Sequence, residues 1–319
     1  MTPLPSPPDT LSIALWATHV ALPMADLDAW LAAVDAQLAA AAAAGAELLM
    51  LPEYACMQWL LFAPEGLRPD QEIAWMADVA EAALPQIEAL ARRHGVALLA
   101  GTTPAPRGSG HVNREYLNRA HLLLPDGRQF HQDKLCLTPT EQQPEAWTLV
   151  PGDQLHVVRW RGLRLAIVVC LDIELPALAT RMQHLDLDLI LVPSMTGRLS
   201  GYHRVAACAR ARAVELFTTV ATVGTVGTLT RFDPPETNVA GAAVYLPCET
   251  ALGSTGVAAQ LDPIAESEGP GPLLIARDIP IGQIRRLRAS GAAEAWPGPW
   301  EAGGVVVVEV AESAEVAGR

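Results

Sequence analysis

The sequence predicts an α/β fold of two packed sheets, related by approximate internal symmetry and with their loops meeting at one end. Three observations carry this reading. Glu47-Leu-Leu-Met-Leu-Pro-Glu53 and Asp188-Leu-Ile-Leu-Val-Pro-Ser194 follow one plan: a buried strand delivers a proline, then a small or acidic residue, into a loop. Apolar runs of strand length alternate with segments of helical periodicity. The 319-residue chain is 50% hydrophobic, enough to bury one large core.

Residues 1–10 read as a mobile, proline-rich leader. Met1-Thr-Pro-Leu-Pro-Ser-Pro-Pro has no basic region ahead of an apolar core, so it does not read as a signal peptide. Residues 12–18 alternate as a first strand. Asp26 is expected to cap a helix whose buried face holds Leu27, Trp30, Leu31, Val34 and Leu38, with Gly45 just past its end. Residues 46–51 form a second strand leading to Glu53 and Tyr54. Residues 71–94 are helical, and Pro85 is expected to divide them in two. A third strand covers 96–101. Residues 116–124 and 128–133 flank Pro125-Asp126-Gly127 as a hairpin.

The second half repeats the pattern. A hairpin near 155–165 turns at Arg161-Gly162. The β-branched run 165–169 suits a strand covered on both faces, and a helix is expected over about 173–183. A strand at 188–192, a helix at 202–216 and strands at 217–223, 241–246 and 273–278 follow. Residues 283–319 read as a C-terminal extension with a valine strand at 305–308, reaching toward a partner subunit.

Composition removes several function classes. A formal charge of −13 argues against nucleic acid or an anionic membrane as the main partner. Cys56, Cys136, Cys170, Cys208 and Cys248 are widely spaced, with no Cys-x-x-Cys pair, which suits neither a disulfide framework nor a zinc site. A reducing cytoplasm fits best. No apolar run approaches a membrane span. There is no Gly-x-Ser-x-Gly elbow. A Walker A loop is excluded because the sole lysine follows Asp133.

Three residues stand out. Cys170 sits at a corner between a strand and a helix start, where unpaired N–H groups and the helix dipole would favour a thiolate and hold an oxyanion. The alternative is a small core cysteine. Lys134 is the one lysine among 22 basic residues, leaving 22 − 1 = 21 arginines. A position where arginine fails calls for a compact ammonium with rotatable donors. Glu53 leaves its strand as a candidate base, or simply as a helix cap. An acid, an ammonium and a thiol at three strand exits are the groups that acyl transfer requires.

Glu53 in Leu-Pro-Glu, Lys134 in Asp-Lys-Leu-x-Leu-Thr-Pro-x-Glu and Cys170 in Val-Val-Cys-x-Asp-Ile-Glu-Leu-Pro resemble the nitrilase superfamily of carbon–nitrogen hydrolases, in the order of its Glu–Lys–Cys triad. The resemblance implies a four-layer α-β-β-α sandwich over 11–282, a homodimer or higher homo-oligomer, and no metal or organic cofactor. It carries over Glu141 as a supporting residue that orients the lysine. The Leu171 N–H is expected to bind the oxyanion, although this family often has an aromatic residue there. Tyr54, Ser194 and Arg204 are pocket candidates; Arg204 would bind a substrate carboxylate or form a surface ion pair. Loops 56–69, 108–114 and 230–240 are expected at the pocket mouth. Residues 210–215 are expected at a helical dimer interface. The implied substrate is a small amide or nitrile. Amidase, nitrilase, carbamoyl hydrolase, acyltransferase and a catalytically quiet scaffold remain alternatives.

Overall fold

A computed structural model describes residues 6–108, 115–143, 147–230 and 235–308. Residues 1–5 of the expected leader, 109–114 and 231–234 of the expected mouth loops, and 309–319 of the extension lie outside the described residues.

The first half contributes β1 (Leu11–Trp16), α1 (Leu27–Ala43), β2 (Leu48–Met50), α2 (Pro69–His94), β3 (Ala97–Pro106), β4 (Tyr116–Leu123) and β5 (Gln129–Asp133). Then come β6 (Val158–Trp160), β7 (Leu163–Ile167), α3 (Pro176–Met182), β8 (Leu189–Ser194), α4 (Leu199–Glu215) and β9 (Thr219–Gly224). A small ribbon of β10 (Gly227–Leu229) and β11 (Glu236–Asn238) precedes β12 (Ala240–Tyr245), β13 (Val257–Ile264), β14 (Leu273–Ile279) and α5 (Ile281–Ser290).

Two six-stranded sheets result, ordered β14-β1-β2-β3-β4-β5 and β13-β12-β9-β8-β7-β6. In the first, β1, β2 and β3 are parallel, with β14 antiparallel at one side and β4 and β5 at the other. In the second, β7, β8 and β9 are parallel, flanked in the same way by β6 and by β12 and β13. The internal symmetry expected from the two matching segments is therefore a symmetry of strand pairing. It sets β2 against β8 and β1 against β7.

Period-2 alternation divides the first sheet between two layers. Ile13, Leu15, Leu48, Met50 and Leu99 face inward and join one core with β7, β8, β9 and α4. Ala14, Trp16, Leu49 and Leu98 face outward onto Trp30 and Val34 of α1 and Met76 and Ile87 of α2. Each such large side chain contributes roughly 1.5–3 kcal/mol through burial. The four-layer α-β-β-α order follows.

Local chemistry explains most element ends. Asp26 caps α1, its Oδ1 accepting the Ala29 N–H at 2.8 Å, and Gly45 at φ 77° follows the helix. At the β6–β7 turn, Arg161 and Gly162 take φ of 50° and 78°, as a two-residue hairpin turn with strand-matched twist requires.

Two expectations, the break at Pro85 and the valine strand, are corrected. Pro85 does not divide its helix: α2 is continuous from Pro69 to His94. Pro85 and Glu81 both lie on the exposed side, where a proline costs a helix least because the carbonyl left without its N–H partner is not enclosed in the core. Part of the expected C-terminal extension, 283–319, lies against the body. Within α5, Arg288 donates to the Leu187 carbonyl at 2.7 Å and to Asp188 at 3.1 Å. Trp296 then donates to the Glu215 carbonyl at 3.0 Å and lies 5.2 Å from the Phe217 ring. Finally, Val305 to Val308 are exposed and form no strand, since β-branching supports a strand only where a neighbouring edge pairs with it. Among the described residues, no helix is long and apolar enough to cross a membrane.

Pro85→Ala restores a helical hydrogen bond on an exposed face and should raise stability by about 1–3 kcal/mol. Urea unfolding should show a higher midpoint; a lower one would mean that the ring is needed where it sits.

Candidate active site

Four strand exits at one end of the sandwich converge. The loop after β2 supplies Glu53, the end of β5 supplies Lys134, the corner after β7 supplies Cys170, and the end of β8 supplies the backbone of Met195. Gly101 on β3 lets the first loop in closely. It holds φ 73°, and a Cβ there would strike the Pro52 carbonyl oxygen one residue before Glu53.

The Lys134 ammonium lies between two carboxylates. Nζ donates to Glu53 Oε1 at 2.8 Å and to Glu141 Oε2 at 2.7 Å, and all three side chains are at most 5% exposed. The remaining lone pairs are also occupied. Glu53 Oε2 accepts the Met195 N–H at 3.0 Å. Glu141 accepts the Tyr54 hydroxyl at 3.0 Å and both the N–H and hydroxyl of Thr138 at 2.9 Å. The Cys170 thiol points to the Met195 carbonyl at 3.6 Å and interacts with the Glu53 carboxylate. One residue, Met195, thus contacts the acid with its N–H and the thiol with its carbonyl. The structure brings together Glu53, Lys134, Cys170 and Glu141.

Electrostatics differ from residue to residue. Burial would depress the Lys134 ammonium, but Glu53, the Cys170 sulfur and Glu141 outweigh it and hold the pKa above its ordinary value. Burial raises Glu53; Lys134 opposes this and Glu141 adds to it, leaving the carboxyl above its usual range. Burial would raise Glu141 too, but Lys134 and the Thr138 and Asn118 donors bring it below its usual value. Cys170 is pushed well up, first by burial and then by the Glu53 charge. Burial and the Glu53 charge thus work against the expected thiolate bias and favour the thiol. Its corner explains why. Cys170, at φ 49°, opens a 3-10 turn, Cys170–Glu174, and α3 begins only at Pro176, so no long helix dipole reaches the sulfur.

The other expected residues divide. Leu171 is the second residue of the 3-10 turn, where N–H groups lack partners within the turn. Tyr54 is buried, with its hydroxyl on Glu141 and its ring 5.1 Å from Trp147. The Ser194 hydroxyl donates to the Val223 carbonyl at 3.1 Å, which makes it part of the strand packing. Arg204 pairs with Glu174 at 3.0 Å and is 62% exposed, the surface alternative.

Two residues were missed. Asn118, on β4, is fully buried and donates through Nδ2 to Glu53 at 2.8 Å and to Glu141 at 2.9 Å. Its backbone carbonyl also accepts the Lys134 backbone N–H at 2.8 Å. The only sequence signal was an asparagine in a strand that should bury apolar side chains. Met195 acts through its backbone, so its side chain carried no signal. Asn118→Leu removes two hydrogen bonds to charged groups and should cost about 3–5 kcal/mol. Chemical denaturation measures it, and a loss under about 1 kcal/mol would mean that the glutamates hold their places without Asn118.

Comparison with known proteins places these features in context. The sequence pattern described as carbon–nitrogen hydrolase matches residues 16–289. A probable hydrolase of Bacillus subtilis (strain 168) is 31% identical over 188 residues, which are 58% of this chain and 35% of that protein. An (R)-stereoselective amidase of Pseudomonas sp. is 30% identical over 129 residues, 40% of this chain and 43% of the amidase. The matches thus span less than half the length of either relative. Among solved structures, a cysteine-to-alanine mutant of the amidase from Nesterenkonia sp. AN1, in complex with butyramide, has a TM-score of 0.61 and 26% identity. That likeness covers 90% of this chain and 98% of the other.

Proposed function

The chain belongs to the carbon–nitrogen hydrolase family, and from that premise we propose that it is an amidase, hydrolysing a small amide through a thioester on Cys170. The observation that supports this most is the Lys134 ammonium held 2.8 and 2.7 Å from two buried carboxylates, beside a thiol that meets one of them.

In this reading Glu53 takes the proton from the Cys170 sulfur as the sulfur bonds to the amide carbon. The carbonyl π electrons move to oxygen, and that oxyanion is stabilised by Lys134 and the Leu171 N–H. Collapse of the tetrahedral species breaks the carbon–nitrogen bond, and the protonated Glu53 gives its proton to the leaving nitrogen. Water then attacks the thioester while Glu53 takes its proton. The second tetrahedral species collapses as Glu53 returns that proton to the departing sulfur, giving the Cys170 thiol and a carboxylic acid. Glu141 keeps Lys134 charged and in place throughout, and contributes no proton. A raised Glu53 suits both tasks, since a base that must also return its proton works best near the operating pH. Aliphatic amides are the first substrates to test, because the Nesterenkonia structure holds butyramide and the Pseudomonas relative is an amidase. A homodimer pairing through α4, which carries residues 210–215, is part of the same proposal.

Mass spectrometry after incubation with aliphatic amides should show an acyl adduct on Cys170, together with released ammonia. A protein that neither forms the adduct nor releases ammonia from any amide in a broad panel would count against the proposal. Lys134→Arg should fold but lose at least about a hundredfold in kcat/KM, because a planar guanidinium cannot bridge both carboxylates and still reach the oxyanion. Normal turnover by the arginine variant would remove the special role of the ammonium. Finally, the acid limb of kcat/KM reports ionisation of Glu53. It should lie above the ordinary carboxylate range, the direction that burial imposes. A limb at or below that range would indicate a different base.

A further inference from the structure

We infer that Asp172 is a positioning residue, a clasp that fastens the turn bearing Cys170 to the loop bearing Lys134 and so sets the distance between thiol and ammonium. The inference rests on the reading of Cys170 as nucleophile and Lys134 as oxyanion stabiliser.

The geometry is a carboxylate closed over two consecutive backbone donors. Asp172 Oδ1 accepts the Cys136 N–H at 2.7 Å, and Oδ2 accepts the Leu135 N–H at 3.0 Å. Those two donors directly follow Lys134, and Asp172 itself lies two residues after Cys170. The turn is in turn tied to its own strand, since the Asp172 N–H donates to the Val169 carbonyl at 3.0 Å. From the other side, the Lys134 N–H and carbonyl bond Asn118 and Gly152, each at 2.8 Å. Asp172 is 1% exposed, and among the described residues its carboxylate accepts hydrogen bonds from these two backbone groups. The proposed chemistry assigns it no proton, unlike Glu53.

Only an ionised carboxylate of this length offers one full acceptor to each N–H. A protonated carboxyl or an amide replaces one acceptor with a donor, which then faces an N–H. One side of the clasp opens, and the 3-10 turn loses its tie to the lysine loop. The charged and titratable groups around Asp172 are the Lys134 ammonium, the Glu53 carboxylate and the Cys136 thiol, with the Cys170 thiol on its own turn. Burial pushes the Asp172 carboxyl up to about 6; the Leu135 and Cys136 N–H groups and Lys134 oppose it, and Glu53 adds to it. The clasp is therefore complete above that pH and half open below it.

Asp172→Asn copies the protonated state at every pH, which gives the test its form. Iodoacetamide serves as the probe, and the rate of Cys170 alkylation is read by peptide mass spectrometry between about pH 5 and pH 8. The ratio of D172N to wild-type rates should be close to one at the acid end and fall to about one-fifth or less at the alkaline end. A ratio that is reduced by one constant factor across the range, or not reduced at all, overturns the clasp. If D172N does not fold, the wild-type amide proton resonances of Leu135 and Cys136 decide instead. Both should move upfield together as the pH falls through about 6, and resonances that stay fixed overturn the inference. An acyl adduct on wild-type Cys170 together with a constant ratio would sink the clasp alone. Wild-type protein that forms no acyl adduct would sink the clasp together with the nucleophile reading on which it rests.

Discussion

A buried ammonium with carboxylates on both sides governs the rest of the structure. Taking Lys134, Glu53 and Glu141 out of water costs several kcal/mol per ion, and only near-complete hydrogen bonding offsets such a penalty. That demand accounts for the surroundings. Asn118, Tyr54, Thr138 and the Met195 N–H all spend their donors on the two glutamates. The group of three still carries one negative charge more than positive. This excess contributes to the raised Glu53 pKa and helps keep the neighbouring sulfur protonated.

Strand order supplies the convergence. Parallel triplets β1-β2-β3 and β7-β8-β9 send their exits toward one end of the sandwich, and the matched pair β2 and β8 delivers Glu53 and Met195. The repeat is one of backbone geometry, with different side chains installed in each half. Where the first half places a carboxylate, the second places a peptide group that bonds it. The acid and the thiol are therefore coupled through main chain, which a side-chain substitution leaves largely intact. Burial and the Glu53 charge favour a neutral thiol, so in the proposed mechanism proton transfer to Glu53 accompanies attack on carbon.

Much of this was legible from residues alone, for identifiable reasons. Lys134 stood out because the chain otherwise uses arginine, and the spacing around Cys170 marked a strand end. The two matching segments gave the sheet symmetry before any pairing was known. Asn118 was illegible, because a polar residue in a strand reads as solvent-facing until the two glutamates from other elements are set beside it. β13 was passed over for a related reason: its Val257–Ile264 run is half exposed, lies at a sheet edge and contains a proline. Pro85 misled because a break depends on which face the proline occupies, and periodicity in that alanine-rich stretch does not settle the face. Ser194 matched Glu53 in the repeat, yet its hydroxyl was already committed to Val223.

The lysine count has one more consequence. An acyl thioester is an activated donor that modifies free amines, whereas guanidinium groups resist it at neutral pH. This chain's single ε-amine is 2% exposed and clamped between acids, so its described surface offers no lysine to stray acyl groups. On the proposed mechanism, a chain of this composition offers its own thioester no exposed described lysine to acylate, a form of chemical self-tolerance written into the choice of arginine over lysine.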